Sequence, residues 1–461
     1  MWRFKAARFR GVCISLEIIG DVLHIGLDDT DSLKGGCTTY IAALLVEKLT
    51  DLGLAFTDYP NLIRLNPNIP WKTRGNGAVS LRVKGGSNLL EKAREIVVET
   101  VEEHADLRYA GTDPGIVFHQ SAITEPLKAF AQRVVRDVVP LKEALKLVKG
   151  HGAEAVGYRG GRGIIGALAA VGETLPMDHT FELIAYRLAE NRGSPRRVDA
   201  ASVYLMDEET YPWTFNNVDR ETGRVLVTPR GLDPVLYGIR GENPEAVYKA
   251  HGMVKVDEPI ERWVVFRTNH GTDAHLGAAE TIAEAKPYRP VVTRGVVSRT
   301  PYRIPGGHVV FTLKDGTGEI DCAAYEPTGG FRDIVEKLVV GDLVEVYGGV
   351  RPRGKTHPRT VNLEKIRVVK LALKLVLENP RCPSCRHRLK SMGKAKGFRC
   401  EQCGRRERSA VKVSVEVPRE LQEGLYITPL RAHRHLTKPL VRYGREKSSP
   451  CFTFIQEWHS P

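Results

Sequence analysis

Cys382 and Cys385 form one Cys-x-x-Cys pair, Cys400 and Cys403 a second, and 14 residues separate the two. Two such knuckles place four thiolates tetrahedrally around Zn²⁺. A four-thiolate set leaves no open position, so the metal is expected to be structural. Lys394, Lys396, Arg399, Arg405, Arg406 and Arg408 surround the knuckles, which suits a ribbon that grips phosphates. A second cluster, Asp28, Asp29 and Asp31, follows an apolar run. Carboxylates brought so close repel one another unless a cation neutralises them. Mg²⁺ fits, because it is held by one or two carboxylates together with substrate phosphates. Gly35, Gly36, Cys37, Thr38 and Thr39 come next at an expected helix start, where free N–H groups attract phosphate. The chain has no GxxxxGK[ST] sequence, which excludes an ordinary P-loop. The same turn also serves as a plain cap, with Thr38 or Thr39 as the N-cap.

Weaker signals lie further on. Lys72, Arg74 and Asn76 sit in a glycine-containing loop that reads as a phosphate or ribose contact or as a surface turn. Asp113 either joins the acidic site or shapes a turn. Arg159 and Arg162 stand in the run Gly157 to Gly163, a weak anion-binding signal. Tyr302, Phe311, Tyr325, Phe331 and Tyr347 are the aromatics on which bases could stack, each worth roughly 1–3 kcal/mol per base when exposed. About two of the five are expected to face outward.

The elements that position these residues read as four units. Residues 21–27 form a strand that delivers the acidic turn, and a helix begins near Thr39. Residues 78–83 and 116–119 are further strands, residues 89–103 a helix, and residues 127–148 a helical stretch. This alternation suits an α/β domain over 21–150. Residues 151–285 suit a small α+β domain, with helices over 164–170 and 181–191 and strands over 202–206 and 225–228. From residue 289 the texture is all-β, with runs over 291–297, 308–313, 320–325, 343–350 and 360–369. A helix over 331–338 lies between the third and fourth runs. That order is the one expected of an OB-fold over 286–372. Residues 380–461 carry the zinc ribbon and a basic C-terminal segment, and residues 1–20 are an extension.

The 461 residues give a prior of about three domains. Apolar residues at 42% and charged residues at 27% exclude collagen, mucin and wholly disordered classes. The longest apolar stretch, residues 163–172, is half of the roughly 20 residues a membrane span needs, so no membrane partner is expected. The eight cysteines suit a reducing compartment, and the N-terminus does not read as a signal peptide, so a cytoplasmic location is expected. The formal net charge is +13, and residues 381–461 hold 18 Lys+Arg against 7 Asp+Glu, a net +11. A nearly neutral body with a strongly basic end points to a polyanion partner for that end. No feature specifies an oligomeric state.

The blocks IGLDDTDSLKGGCTTY, RLNPNIPWKTRGNGAVSLRV, GYRGGRGIIGALAAVG, TFELIAYR, PVLYGIRG, GGHVVFTLKDGTGEIDCAAYEPTGGFR and RAHRHLTKPL, with the four cysteines, run from about residue 21 to 445. In these the chain resembles the archaeal tRNA 2-agmatinylcytidine synthetases. The resemblance implies a kinase-like α/β domain, a ferredoxin-like domain, an OB-fold β-barrel and a zinc ribbon, in that order. It implies an ATP-dependent ligase acting on the AUA-decoding isoleucine tRNA. Agmatine would replace the carbonyl oxygen at C2 of the wobble cytidine after that oxygen is phosphorylated. The family's ATP site falls on Asp28, Asp29 and Asp31, its autophosphorylated threonine on Thr38, and its basic loop on Lys72, Arg74 and Asn76. The rival reading is a non-catalytic single-strand binding protein, built from OB-fold and ribbon with a regulatory nucleotide site. A third is a nucleotide-dependent enzyme acting on DNA. The acidic turn followed by Gly-Gly-Cys-Thr separates an enzyme from a binder, because binding alone does not need it.

Overall fold

The computed structural model describes residues 22–73, 75–355, 357–450 and 452–461. The extension over residues 1–20 and Arg74 lie outside the described residues. The chain opens with β1 (Val22–Asp28), α1 (Thr38–Asp51), β2 (Asn61–Arg64), β3 (Gly77–Lys84), α2 (Ser87–His104) and β4 (Gly115–His119). Then come α3 (Glu125–Arg136), α4 (Leu141–Gly150), β5 (Glu154–Gly157) and α5 (Gly163–Gly172). The helical stretch expected over 127–148 is two helices. Pro140 disfavours helical geometry at the residue before it and stands at the N-cap of α4.

The next unit comprises β6 (Thr180–Arg187), α6 (Ala200–Thr210), β7 (Thr214–Phe215), β8 (Val235–Gly241), α7 (Pro244–Met253) and β9 (Ile260–Thr268). Two expectations reverse here. The helix expected over 181–191 is strand β6, buried at every position. The strand expected over 202–206 is helix α6, whose N-cap Asp199 accepts from the Ala201 and Ser202 amides.

These strands form one sheet of eleven, nine of them in the order β5-β4-β1-β3-β2-β9-β6-β8-β7. The neighbours on this path pair antiparallel except at the centre. There β9 meets β2 in parallel, through Arg267 opposite Asn61 and Thr268 opposite Leu62. The first two units are therefore halves of a single sheet. Strand alternation splits the core of the first half. Leu23, Ile25, Leu27, Leu81 and Val83 pack with α1 and α2, whereas Ile63, Ala78 and Val117 pack with α3 and α5. On the second face α5 comes unusually close to β1 and β4. A Cβ on Gly26 would lie 2.1 Å from the Ala167 carbonyl oxygen, and one on Gly115 would lie 2.0 Å from the Ile164 nitrogen.

The barrel follows: β10 (Pro290–Ile304), β11 (His308–Lys314), β12 (Glu319–Ala324), α8 (Phe331–Glu336), β13 (Leu343–Arg351) and β14 (Thr360–Lys370). The order β12-β11-β10-β13-β14 closes through a parallel β12–β14 pairing, Cys322 opposite Val361. Five strands with the helix between the third and fourth make the expected OB-fold. Phe311 is fully buried and Phe331 nearly so, both in the barrel core. Phe311 is thus no stacking platform, because its position on β11 points inward.

A two-stranded stalk, β15 (Lys374–Glu378) paired with β16 (Val413–Val417), carries the cysteine knuckles. The chain after the stalk does not continue the ribbon. Residues Gly424–Ile427 form β17 and add to the OB sheet beside β14. The remainder crosses back over the large sheet and ends as β18 (His459–Ser460), paired with β9. Among the described residues no helix is long and apolar enough to cross a membrane.

Candidate nucleotide and metal sites

Strand β1 ends at Asp28, and the following turn is pinned from several sides. Thr112 Oγ1 donates to the Asp31 carbonyl at 2.8 Å, and the Asp106 amide donates to the Thr30 carbonyl at 3.2 Å. Asp29 sits at φ 58°, a left-handed conformation rare outside glycine and tolerated by aspartate. Gly36, at φ 73°, lets the chain turn back into α1; a Cβ there would meet Asp31 Cα at 3.1 Å. The N-cap of α1 is Cys37, not Thr38 or Thr39. Thr38 Oγ1 instead lies 3.0 Å from Thr30 Oγ1.

Helix α5 forms the wall behind Asp28. A Cβ on Gly166 would lie 1.9 Å from Asp28 Oδ2, so only glycine leaves room for that carboxylate. Burial pushes the Asp28 carboxyl well above its usual range, and the negative charge of Asp29 adds to the shift. Burial raises Asp29 as well, against the opposing pull of Arg162. Arg162 Nη2 donates to Asp29 Oδ2 at 2.9 Å and to the Gly111 carbonyl at 2.8 Å, and stands 3.4 Å from Asp113 Oδ2. Crowded carboxylates that resist ionisation are a donor set in want of cationic charge. Among the described residues only the four cysteines bring three ligand atoms within 4.8 Å of one another, so the turn is no three-carboxylate cage; Mg²⁺ needs only one or two carboxylates together with substrate phosphates, which Asp28 and Asp29 can supply.

One cavity of about 440 Å³ joins this turn to the second half of the sheet. Asp28, Asp29, Asp31, Thr38, Lys72, Asn76 and Arg162 all line it. Gly35, Gly36, Asp113 and Arg159 are absent from the lining. The two glycines shape the turn, Asp113 stands behind Arg162, and Arg159 donates to the Leu107 carbonyl. In the loop over residues 66–76, Asn76 Nδ2 donates to the Asn66 carbonyl at 3.0 Å, and Lys72 Nζ donates to the Pro67 carbonyl. Asn66 in turn donates to the Tyr288 carbonyl at 2.8 Å, and a Cβ on Gly349 of β13 would lie 1.9 Å from Asn68 Oδ1. The OB-fold thus rests directly on this loop.

The opposite wall has no counterpart among the sequence motifs. Glu182 on β6 is 2% exposed and pairs with Arg64 at 3.3 Å, Arg240 at 3.0 Å and His270 Nδ1 at 3.4 Å. His435, from the returning C-terminal segment, packs edge-on to His270 at 5.1 Å between ring centres. Positive charge from Arg64, then burial, holds His435 well below the usual histidine range. Burial lowers His270 to about 4 against the favourable pull of Glu182, so both rings are neutral at physiological pH. The detectable signal was Glu182 itself, a charge inside an otherwise apolar run.

The OB aromatics divide. Tyr302 is 41% exposed near the tip of β10. Tyr325 is partly exposed, donating to Asn362 Oδ1 at 3.0 Å with its ring edge-on to His308. In the ribbon, one sulfur atom from each of Cys382, Cys385, Cys400 and Cys403 lies within 4.8 Å of the others. Contacts of 3.3–3.6 Å between them compare with about 3.8 Å across a tetrahedron of Zn–S bonds. Backbone N–H groups of Cys385 and Ser384 favour a thiolate on Cys382, lowering it to about 6. The donor set fits Zn²⁺. Arg405 beside the knuckles donates to Glu407 Oε1 at 2.5 Å and Ser384 Oγ at 2.8 Å, and Arg406 is exposed.

Four family models match the chain: the TiaS TCKD domain over residues 24–160, the TiaS FLD domain over 161–275, an OB-fold nucleic acid binding domain over 291–369, and the TiaS C-terminal zinc ribbon domain over 379–421. The isoleucine-tRNA 2-agmatinylcytidine synthetase TiaS of Methanosarcina mazei is 46% identical over 429 residues, covering 91% of this chain and 97% of that protein. A crystal structure of TiaS in complex with its isoleucine tRNA and ATP matches with a TM-score of 0.82 and 44% identity, covering 92% of this chain and 97% of that one. A complex of TiaS with the same tRNA, AMPCPP and agmatine matches with a TM-score of 0.81 and 42% identity, over 92% of this chain and 97% of that one. With that identity along nearly its whole length, and with the acidic turn and the four-cysteine knuckle in place, the chain belongs to the TiaS family of isoleucine-tRNA 2-agmatinylcytidine synthetases.

Proposed function

We propose that this protein conjugates agmatine to C2 of the wobble cytidine of the AUA-decoding isoleucine tRNA, at the expense of ATP, in the cytoplasm. The observation that carries this reading is a cavity shared by two groups of side chains. It brings the Asp28–Asp29–Asp31 turn and Thr38 to one wall and the Glu182, Arg64, Arg240, His270 and His435 group to the other. Relatives crystallised with tRNA and ATP, and with tRNA, an ATP analogue and agmatine, support it.

A base carbonyl oxygen is a poor leaving group. Transfer of a phosphoryl group from ATP to O2 of the cytidine makes it a good one. The primary amine of agmatine then forms the C2–N bond as phosphate departs with O2, and the amine loses a proton. Mg²⁺, when bound, supplies neutralising charge on the phosphates. Asp28 and Asp29, with Asp31 beside them, would hold it there. Arg64 and Arg240 place positive charge on the far wall, where phosphate charge is to be offset. The target base must leave the anticodon stack to enter the cavity. The OB-fold, with Tyr302 and Tyr325, and the ribbon, with Arg405 and Arg406, position the tRNA. Thr38, which lines the same cavity and whose hydroxyl exchanges a hydrogen bond with Thr30 Oγ1 at 3.0 Å, accepts phosphate from ATP.

Incubation with ATP, labelled agmatine and isoleucine tRNA tests the reading. Label should enter the wild-type reaction's tRNA at the wobble position and be lost with Asp28→Asn. Labelled agmatine left entirely free by the wild-type protein would refute it.

A further inference from the structure

Arg162 occupies a place that neither wall explains. It precedes α5 and reaches across to two other segments. Its Nη2 alone contacts Asp29 Oδ2, Asp113 Oδ2 and the Gly111 carbonyl. Its Nη1 and Nε make no hydrogen bond among the described residues, and the side chain is one-third exposed and lines the cavity. A guanidinium is a planar fork suited to two parallel bonds with phosphate oxygens. Here it is held by one corner on carboxylates, with the rest of the fork uncommitted.

We infer that Arg162 is an exchangeable counter-cation, which holds the acidic turn together before nucleotide arrives and passes to the phosphates when a divalent cation takes over Asp29. The inference rests on the divalent-cation reading of the acidic turn given above. Arg162 is the cation seated among the carboxylates of the turn, 2.9 Å from Asp29 Oδ2 and 3.4 Å from Asp113 Oδ2. A divalent cation on the same carboxylates supplies more charge at shorter range, about 2.0–2.1 Å for Mg²⁺. It also repels the guanidinium. Arg162 released from Asp29 has its fork free in the cavity, where the phosphates of a metal-bound nucleotide would lie. The glycine turn before α5 gives it the reach, since Gly161 sits at φ 66° and Gly160 donates to Asp113 Oδ1 at 3.2 Å. Arg162 is on this account a positioning residue in the metal-free protein and a phosphate ligand in the loaded one.

The test is Mn²⁺ binding by the full chain without nucleotide, followed by paramagnetic resonance. Arg162→Gln removes a competing charge a few ångströms from the site, so Mn²⁺ should bind about ten-fold more tightly than to wild type. Metal-bound ATP should bind about ten-fold more weakly to the same variant, because the phosphate ligand is gone. A residue that merely braced the fold would not raise metal affinity. Equal or weaker Mn²⁺ binding by Arg162→Gln overturns the exchange. A measurement on the wild-type protein covers the case in which the variant misfolds. Modification of Arg162 by an arginine-selective dicarbonyl, mapped by mass spectrometry, should increase with saturating Mn²⁺ alone and fall when ATP is added. Unchanged modification, or protection by Mn²⁺ alone, overturns the exchange. Failure of every form to bind Mn²⁺ overturns the cation reading of the turn together with it.

Discussion

Arg442 is fully buried and donates to Glu242 Oε1 at 2.7 Å, bridging 200 residues of sequence. Its Nη2 also donates to Asp178 Oδ1 at 2.8 Å, and its Nη1 to the Gly271 carbonyl at 2.7 Å. The pairing is one of a series. Arg419 meets Asp342, Arg431 meets Asp219, Arg434 meets Glu364, Lys438 meets Asp178, and Lys447 meets Glu242. Half of the basic C-terminal end is thereby a strap that binds the body, and its charge answers acidic groups already folded. Phe452, Phe454 and Trp458 complete the attachment around Tyr59.

Removing a partner from a buried ion pair leaves an uncompensated charge, at a cost of about 3–5 kcal/mol. Arg442→Met leaves Glu242 with Lys447 and Asp178 with Lys438 as their remaining cationic partners, and should destabilise the protein by the lower end of that range. Arg442→Lys should recover only part of the loss, because an ammonium cannot bond both carboxylates in the plane of a fork. Denaturant unfolding of the three proteins measures both effects.

Gly166 leads to a different outcome, loss of chemistry with little loss of fold. Its absent Cβ leaves the space that Asp28 Oδ2 fills. Gly166→Ala should displace that carboxylate by about 1 Å and reduce agmatine incorporation about 100-fold, the usual scale for misplacement of that size. Gly86→Ala, at a site where a Cβ meets nothing within 4 Å, is the control and should retain activity. Equal activity of the two variants would remove Gly166 from the site.

The acidic turn, the knuckles and the barrel were legible because each is local. The three aspartates lie within four residues, the thiols sit in two tight turns, and barrel strands alternate with glycine turns. Strand β6 was not legible. It lies inside the sheet with both faces covered, so Thr180 to Arg187 shows no alternation, and its apolar residues also fit a helical spacing. Helix α6 carries Val203, Tyr204, Leu205 and Met206 in succession, a strand-like run; the Asp199 cap outweighs it. The far wall of the cavity was beyond local reading altogether. Arg64, Glu182, Arg240, His270 and His435 come from five separated segments, and only the sheet order and the returning strap bring them together.

Glu364 gives the junction between strap, barrel and sheet a pH dependence. Burial alone would raise its carboxyl. Electrostatic attraction to His275 and Arg434 and the hydrogen bonds from His275 and Thr437 outweigh burial and hold it down at about 2. A folded-state value below the unfolded one contributes stability that is complete above about pH 4.5 and lost as pH falls toward 2. The difference corresponds to on the order of 3 kcal/mol. Glu364→Gln should be less stable than wild type at pH 7, and the gap should narrow in denaturant titrations carried down to pH 4 and below. A gap that stays constant with pH would show that the charge of Glu364 is immaterial.

Zinc removal should act locally. The knuckles have a small core of their own, Cys382, Leu389, Phe398 and Cys400, joined to the barrel by the β15–β16 stalk. A core of four residues cannot hold a fold without its metal, whose apparent contribution is roughly 10–16 kcal/mol. A strong chelator should open residues 380–410 to protease while leaving ATP binding unchanged. One zinc per chain by elemental analysis, lost in parallel with protection, is the expected result. A ribbon that stays protease-resistant without zinc would contradict it.

The split of the basic end into ribbon and strap changes what salt should do to tRNA binding. Each phosphate neutralised by Lys or Arg lowers log affinity by about 0.7–0.9 per unit of log salt. Strap cations already paired with Glu242, Asp178 and Asp219 release few counterions on meeting RNA. The electrostatic share of binding should therefore come from the ribbon, with Lys394, Lys396, Arg399, Arg406 and Arg408. Excising residues 375–416 and joining Lys374 to Val417, which face each other across the stalk, removes the ribbon and keeps the strap. That variant should bind tRNA more weakly and with a slope flatter by about 3–4, as expected for four or five lost phosphate contacts. Deleting residues 381–461 whole is a poorer experiment, because it also strips His435 from the cavity and Arg442 from the body. Equal slopes for the full chain and the excised variant would assign the electrostatic grip to the barrel and the sheet instead.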